Sequence, residues 1–232
     1  MTFTRRATMA GGLSLLAGCA LPPVGRERLL YRDDFQGGLG QWVVEAEKPG
    51  RISATGGVLD VAAPAGVTLW FRPVLQGPVA IDYIVTPASA GGEWDTVSDV
   101  NCFWMATDPR APGGDVLART RSGAFAEYDE LRTYYAGIGG NRNTTTRFRR
   151  YIGQRENRPL LPQHDLSGVS NMLVPNRAIH IRLIADGRRI ALIRDGATLF
   201  ELDDPQPYTR GHFGLRTTWS HLTVTDFRVW RL

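Results

Sequence analysis

The run Asn141-Arg142-Asn143-Thr144-Thr145-Thr146-Arg147 puts amides, hydroxyls and guanidinium groups into one turn and the start of one strand. Successive side chains of an extended chain point to opposite faces. Thr145, Arg147 and Arg149 therefore share one face, and Thr144, Thr146, Phe148 and Arg150 share the other. A row carrying two arginines cannot be buried unpaired. It is either a solvated sheet face or a row of donors for sugar hydroxyls and carboxylates, with Asn141 and Asn143 at its turn.

The segment Leu131 to Tyr135 alternates in the same way, with Arg132 and Tyr134 on one side and Leu131, Thr133 and Tyr135 on the other. A tyrosine beside an arginine suits acid–base chemistry, because the guanidinium stabilises a phenolate. With a histidine, the pair is the minimum for β-elimination from a uronate. The arginine neutralises the carboxylate, and Tyr134 or a histidine takes the proton alpha to it. His221 is the preferred base, and His164, beside Asp165, is second. Trp219, between Thr218 and Ser220, is the ring best placed to stack on a sugar, with Arg216 nearby as a further contact. Arg132, Tyr134, Arg147 and His221 are predicted to reach one groove. The plainer alternatives stay open: a rim tyrosine, structural histidines and a solvated arginine face.

Other chemistries fit poorly. A retaining glucanase would need two carboxylates two or four residues apart on one strand. Glu127, Asp129 and Glu130 come nearest, but they precede the Leu131 strand as a loop. No glycine-rich phosphate loop occurs, and no His/Cys cluster has metal-ligand spacing. No cofactor or metal is expected; a structural calcium would suit such a fold, but no acidic loop marks one.

These residues must be positioned by strands. From Leu29 onward no stretch has a convincing helical period; short β-rich runs alternate with Gly, Pro, Asn and Asp. Ile179 to Ala185, then Asp186-Gly187, then Arg188 to Arg194 reads as a hairpin, and Asp195-Gly196 turns the chain again. The result is a three-stranded meander within an all-β, single antiparallel β-sandwich over residues 29–232. The loops 107–130 and 154–176 are long enough to carry function.

The first residues are not part of that fold. Arg5-Arg6, a weakly apolar run and Leu16-Ala17-Gly18-Cys19 make residues 1–18 a secretory signal of the lipoprotein type, with Cys19 as the acylated residue. Thr4-Arg5-Arg6 leaves twin-arginine and ordinary secretory export both open. Residues 19–28 read as a tether. The chain is thus expected to be an exported periplasmic or outer-membrane lipoprotein, held to the membrane by its lipid. Cys102, in the apolar run Cys102-Phe103-Trp104-Met105, reads as a buried inert thiol.

Removing Arg5 and Arg6 lowers the formal charge from +4 to +2, because no acidic residue lies in the leader. A nearly balanced exported chain without a basic run argues against nucleic acid. Lys48 is the one lysine. Arginine forks suit carboxylates, although compositional bias gives the same pattern.

Asp33-Asp34-Phe35 with Gly38 and Trp42, then Gly56-Gly57-Val58-Leu59, then Gly211 to Thr217 and Asp226-Phe227-Arg228-Val229 resemble, in this order, concanavalin A-like lectin/glucanase domains. More narrowly, Asn101 to Asp108, Leu131 to Tyr135 with Gly139-Gly140-Asn141, and Thr144 to Tyr151 resemble the bacterial domain-of-unknown-function family 6250. That resemblance implies a jelly roll and a place in polysaccharide use, and carries no catalytic residues. Residues and resemblance together point to an exported lipoprotein that binds an acidic polysaccharide and, as an enzyme, would cleave it as a lyase or glycoside hydrolase. The alternative is a non-catalytic carbohydrate-binding lipoprotein of the cell envelope.

Overall fold

A computed structural model of the chain describes residues 27–232. The signal segment, Cys19 and nearly all of the tether lie outside the described residues. In chain order the strands are β1 (Arg28–Asp33), β2 (Trp42–Ala46), β3 (Arg51–Thr55), β4 (Val58–Ala63), β5 (Val67–Phe71), β6 (Leu75–Gln76), β7 (Val79–Pro87) and β8 (Val100–Thr107). They continue as β9 (Arg132–Gly139), β10 (Thr145–Ile152), β11 (Asp165–Leu166), β12 (Ile179–Asp186), β13 (Arg189–Arg194), β14 (Ala197–Asp203), β15 (Arg210–Thr217) and β16 (Ser220–Arg231).

Two antiparallel sheets form. The first has the order β14-β13-β12-β7-β16-β4-β3, with β1 also on β16. The second has the order β11-β10-β9-β8-β15-β5-β2, with β6 also on β15. The predicted meander is β12-β13-β14. Asp186 pairs with Arg189, so the two-residue loop is Gly187-Arg188, one position later than the sequence suggests. Asp195 (φ 51°) and Gly196 (φ 81°) join Arg194 to Ala197, and Gly56 (φ 59°) and Gly57 (φ 84°) join Thr55 to Val58. Two consecutive positive φ angles give the turn whose twist matches its flanking strands.

The core lies between the sheets, where Ile181, Leu183, Val224 and Phe227 of the first meet Cys102, Trp104, Phe148 and Phe213 of the second. Each such side chain contributes about 1.5–3 kcal/mol by leaving water. Phe148 is 1% exposed, so the opposite face of β10 must point outward. That fixes the direction of Arg147 and Arg149.

The two-residue strands β6 and β11 and the short 3-10 turns carry no periodicity and were not predicted. Both long loops contain short 3-10 turns. The 107–130 loop makes three 3-10 turns, at Pro112–Gly114, Val116–Ala118 and Phe125–Tyr128.

Candidate functional site: a polar cleft on the second sheet

Register carries two rows of side chains across the outer face of the second sheet. One runs Arg147, Gly137, Asn101, Arg216, Thr68, Glu45 from β10 to β2. The next runs Arg149, Tyr135, Phe103, Gly214, Trp70, Val43. The first row is mainly polar and the second mainly apolar, so they meet different fates.

The 107–130 loop folds over the apolar row. Tyr128 stacks on Phe103 at 5.4 Å, and Phe103 stacks on Trp70 at 5.5 Å. The Trp70 ring lies so close over Gly214 that a Cβ there would sit 2.7 Å from it. Buried charges tie the loop down. Glu45 accepts hydrogen bonds from Trp70 Nε1 and Tyr128 Oη, both at 2.8 Å, and from the Arg121 amide at 3.0 Å. The Arg121 guanidinium bonds Asp108 at 2.5 Å.

The polar row stays open over β10, β9, β8 and part of β15. It floors a cleft of about 1020 Å³, at the upper end of the ~300–1,000 Å³ usual for ligand sites. Tyr135, Gly137 and Asn101 form the floor. A Cβ on Gly137 would lie 2.8 Å from Asn101 Oδ1 and 2.9 Å from Tyr135 Oη, so glycine leaves room for both groups. Asn101 Oδ1 is buried without a hydrogen-bond partner, an acceptor left for a ligand or water. Trp219, 58% exposed, and Asn141 stand at the mouth.

Five arginines line the cleft against two carboxylates, Asp99 and Glu47. Arg147 is already engaged, with Nε 2.7 Å from Asp165 Oδ1. Arg158 Nε lies 3.4 Å from Asp129 Oδ1. Among the described residues Arg149 and Arg216 make no carboxylate pair. Arg149 donates to the Arg158 carbonyl. Arg216 donates to Thr68 Oγ1 and to the Gly123 carbonyl, both at 2.9 Å. Burial lowers the Arg149 pKa, with Arg147 and Arg158 adding to the shift and Tyr151 opposing it. These are guanidinium forks short of anions.

Burial holds the Tyr135 hydroxyl well above its ordinary pKa, so it is a donor at neutral pH and not a base. Burial also raises Asp99, against the hydrogen bonds from Ser98 and Asn101 and the charge of Arg216. A raised carboxyl is neutral further into the mildly acidic range. As pH rises through that pKa, Asp99 gains a negative charge close to Arg216. Affinity for an anionic ligand is therefore expected to fall as pH rises through a range above the ordinary carboxylate range. Asp99→Asn, which mimics the neutral acid, should flatten that fall in a calorimetric titration. An unchanged slope in the variant would show that another group controls the dependence.

Five non-glycine residues at the cleft and its rim have left-handed backbones: Asp99 (φ 55°), Asn141 (φ 53°), Arg142 (φ 58°), Asn143 (φ 61°) and Trp219 (φ 48°). Asparagine tolerates this conformation, whereas tryptophan and arginine do not readily. Such strain costs on the order of 1–3 kcal/mol per residue and concentrates at functional sites.

Of the predicted site residues, Asn141, Thr145, Arg147, Arg149, Arg216 and Trp219 line this cleft. The others do not. Tyr134 faces the core at 0% exposure, and its hydroxyl bonds Asp204 at 2.7 Å. Its neighbour Tyr135 holds the outer face. Arg132 is exposed at the opposite end of β9, beside Gly153. His221 belongs to the first sheet, where Nδ1 lies 2.7 Å from Asp95 and Nε2 3.1 Å from Asp60. His164 is 4% exposed, packed edge-on to Phe148 at 4.8 Å and bonded to the Glu201 carbonyl. Asn143 exchanges two hydrogen bonds with the Leu173 backbone and fixes the turn. The groove predicted to unite Arg132, Tyr134, Arg147 and His221 therefore does not exist. Sequence reasoning missed Tyr135, Asn101, Asp99 and Arg158. Among the described residues no group of three or more His, Cys, Asp or Glu side chains is arranged to hold a metal.

No curated protein matches the chain by sequence. Several solved structures share its fold. A protein of unknown function with a galectin-like fold from Bacillus subtilis superposes with a TM-score of 0.66 at 17% identity, covering 87% of this chain and 94% of that one. The carbohydrate-binding module CBM66 from Bacillus subtilis gives 0.55 at 10% identity, covering 82% and 94%. The exoplasmic/lumenal domain of VIP36, in a form with calcium and mannose bound, gives 0.53 at 11% identity, covering 83% of each chain. The fold is thus the galectin-like, concanavalin-like sandwich. Residues 61–227 match the family described as "Domain of unknown function (DUF6250)". That span takes in the cleft's floor and its arginines, and the chain belongs to this family.

Proposed function

We propose that the domain binds an acidic polysaccharide in this cleft. The observation that carries the reading is the surplus of arginine, with Arg149 and Arg216 lacking carboxylate partners among the described residues. A uronate supplies both the carboxylate they lack and hydroxyls for Asn101, Asn141 and Thr145. Trp219 supplies an apolar face for a sugar ring. The fold likeness to a carbohydrate-binding module and to the VIP36 domain with mannose bound adds support. We further propose that the domain is exported and anchored through a lipid on Cys19.

A second reading, cleavage, draws on Asp99. A carboxyl whose pKa is raised by burial holds its proton to higher pH, as suits a general acid that protonates a glycosidic oxygen. β-Elimination is less suited to this cleft, because no histidine lines it and Tyr135 is held protonated.

The test is a titration of the domain with polygalacturonate, alginate and hyaluronan, with mannan as the neutral control. At least one acidic polymer is expected to bind, more weakly as salt rises, while mannan does not. Equal binding of mannan, or binding of none, would overturn the reading. Following the ultraviolet absorbance of unsaturated products and the release of reducing ends in the same samples separates elimination, hydrolysis and binding without cleavage.

A further inference from the structure

We infer that the cleft receives the end of a glycan chain and does not let the chain pass through. This rests on the acidic-polysaccharide reading and adds to it the part of the polymer that is recognised. Along the polar row the cleft stops at Arg216. There the backbone of the 107–130 loop lies directly on the sheet, and the Gly123 carbonyl accepts from the Arg216 guanidinium at 2.9 Å. A Cβ on Gly123 would be 2.5 Å from the Glu47 amide nitrogen, so no ligand atom fits between loop and strand. Beyond that point Thr68 and Glu45 are 0% and 4% exposed.

Along the strand direction the cleft is stopped by a different device. Two guanidinium groups lie over the Phe125 ring, Arg216 at 4.8 Å and Arg158 at 4.9 Å from its centroid. Arg158 comes from the second long loop, and its Nε also lies 3.4 Å from Asp129 Oδ1 of the first. The two loops thus meet at Asp129, next to Tyr128, which covers the fully buried Phe103. A groove for the interior of a polymer must be open at both ends. This one is closed at its Arg216 end across the sheet and at its Phe125 end along the strands, so neither direction has two open ends, and it opens past the exposed Trp219 and Asn141.

Arg149 and Arg216, which have no carboxylate partner among the described residues, lie inward of that mouth. A terminal uronate would place its carboxylate against Arg149 while the following sugar lies against Trp219. The arrangement recognises a terminus by what it excludes, since an internal residue has a neighbour on both sides and the wall leaves room for one.

The test uses size-fractionated fragments of polygalacturonate, alginate and hyaluronan beside the parent polymers, titrated calorimetrically into the domain. The expected result is one protein per chain for fragment and polymer alike, with affinity per chain independent of length once the cleft is filled. Fragments reduced with borohydride, and fragments capped at the other terminus, identify which end is held; modification at one end should abolish binding. Many proteins per polymer chain, or binding unaffected by modification at either end, would overturn chain-end recognition while leaving the acidic-polysaccharide reading intact. No binding by any fragment or polymer would overturn both. Arg158→Ala removes a residue of the wall and is expected to raise the number of proteins bound per polymer; an unchanged value of one would show that this residue does not close the cleft.

Discussion

Glu45→Ala is expected to lower the free energy of unfolding by about 3–5 kcal/mol, the scale for breaking a buried charge pair by removing one partner. The Glu45 carboxylate collects donors from three elements: Trp70 on β5, Tyr128 and the Arg121 backbone. Its side chain is 4% exposed, as is that of Arg121, whose guanidinium lies 3.6 Å away. Removal leaves the Trp70 indole and the Tyr128 hydroxyl without their acceptor, and Arg121 with Asp108 as its remaining anion. The loss should appear in the urea midpoint. It should also appear as a red shift in tryptophan emission, because the loop that covers Trp70 loses its attachment. Glu45→Gln keeps an acceptor and drops the charge, so an intermediate loss is expected. A change below about 0.5 kcal/mol, the range of ordinary surface substitutions, would show that the loop is held by its aromatic packing alone.

Arg149→Ala should weaken binding of an acidic glycan roughly 10- to 100-fold. A hydrogen bond to a charged group is worth about 1.5–3 kcal/mol, and each 1.4 kcal/mol is a factor of ten. Arg149→Lys should recover only part of this, because one ammonium cannot reproduce the fork. Arg147→Ala should cost less, since Asp165 already occupies that guanidinium. Fold stability should move the other way or not at all. Arg149 is a partly buried cation without a carboxylate, so its removal relieves a desolvation cost. Weaker binding with an unchanged or higher unfolding midpoint is the combined signature. A lowered midpoint with unchanged binding would assign Arg149 to the scaffold.

Most of the architecture was legible because its signals are local. Gly56-Gly57 and Asp195-Gly196 are tight turns, Asp186-Gly187 marks one that falls a position later at Gly187-Arg188, and the runs between them are β-branched and apolar. The direction of Arg147 and Arg149 was legible too, because Phe148 between them names the core face. Tyr134 and Tyr135 show where such reasoning ends. Alternation separates two adjacent tyrosines but does not say which faces outward, and both ended up nearly buried, at 0% and 7% exposure. His221 failed for a different reason. Leu222 and Val224 mark it as outward-facing, correctly, but β16 belongs to the first sheet, and sheet membership depends on pairings between strands distant in sequence. Asp99, Arg158 and Phe125 reach the cleft from irregular segments. Their positions follow from loop packing, for which the chain carries no periodic code. Glu45 sits within the apolar strand Trp42–Ala46, where a lone acid hints at a buried partner without naming it.

The lone thiol of the described domain has a practical consequence for labelling chemistry. Cys102 is 2% exposed, and burial pushes its pKa up to about 12. At neutral pH the thiol is protonated, and a thiolate is the species that reacts. Maleimides and disulfide-forming oxidants should therefore leave the native domain untouched. A cysteine introduced at the mouth, for example in place of Thr145, would be the one reactive sulfur among the described residues. A single spin label or fluorophore could be attached there without deleting any native residue of the core, giving a reporter beside the arginines.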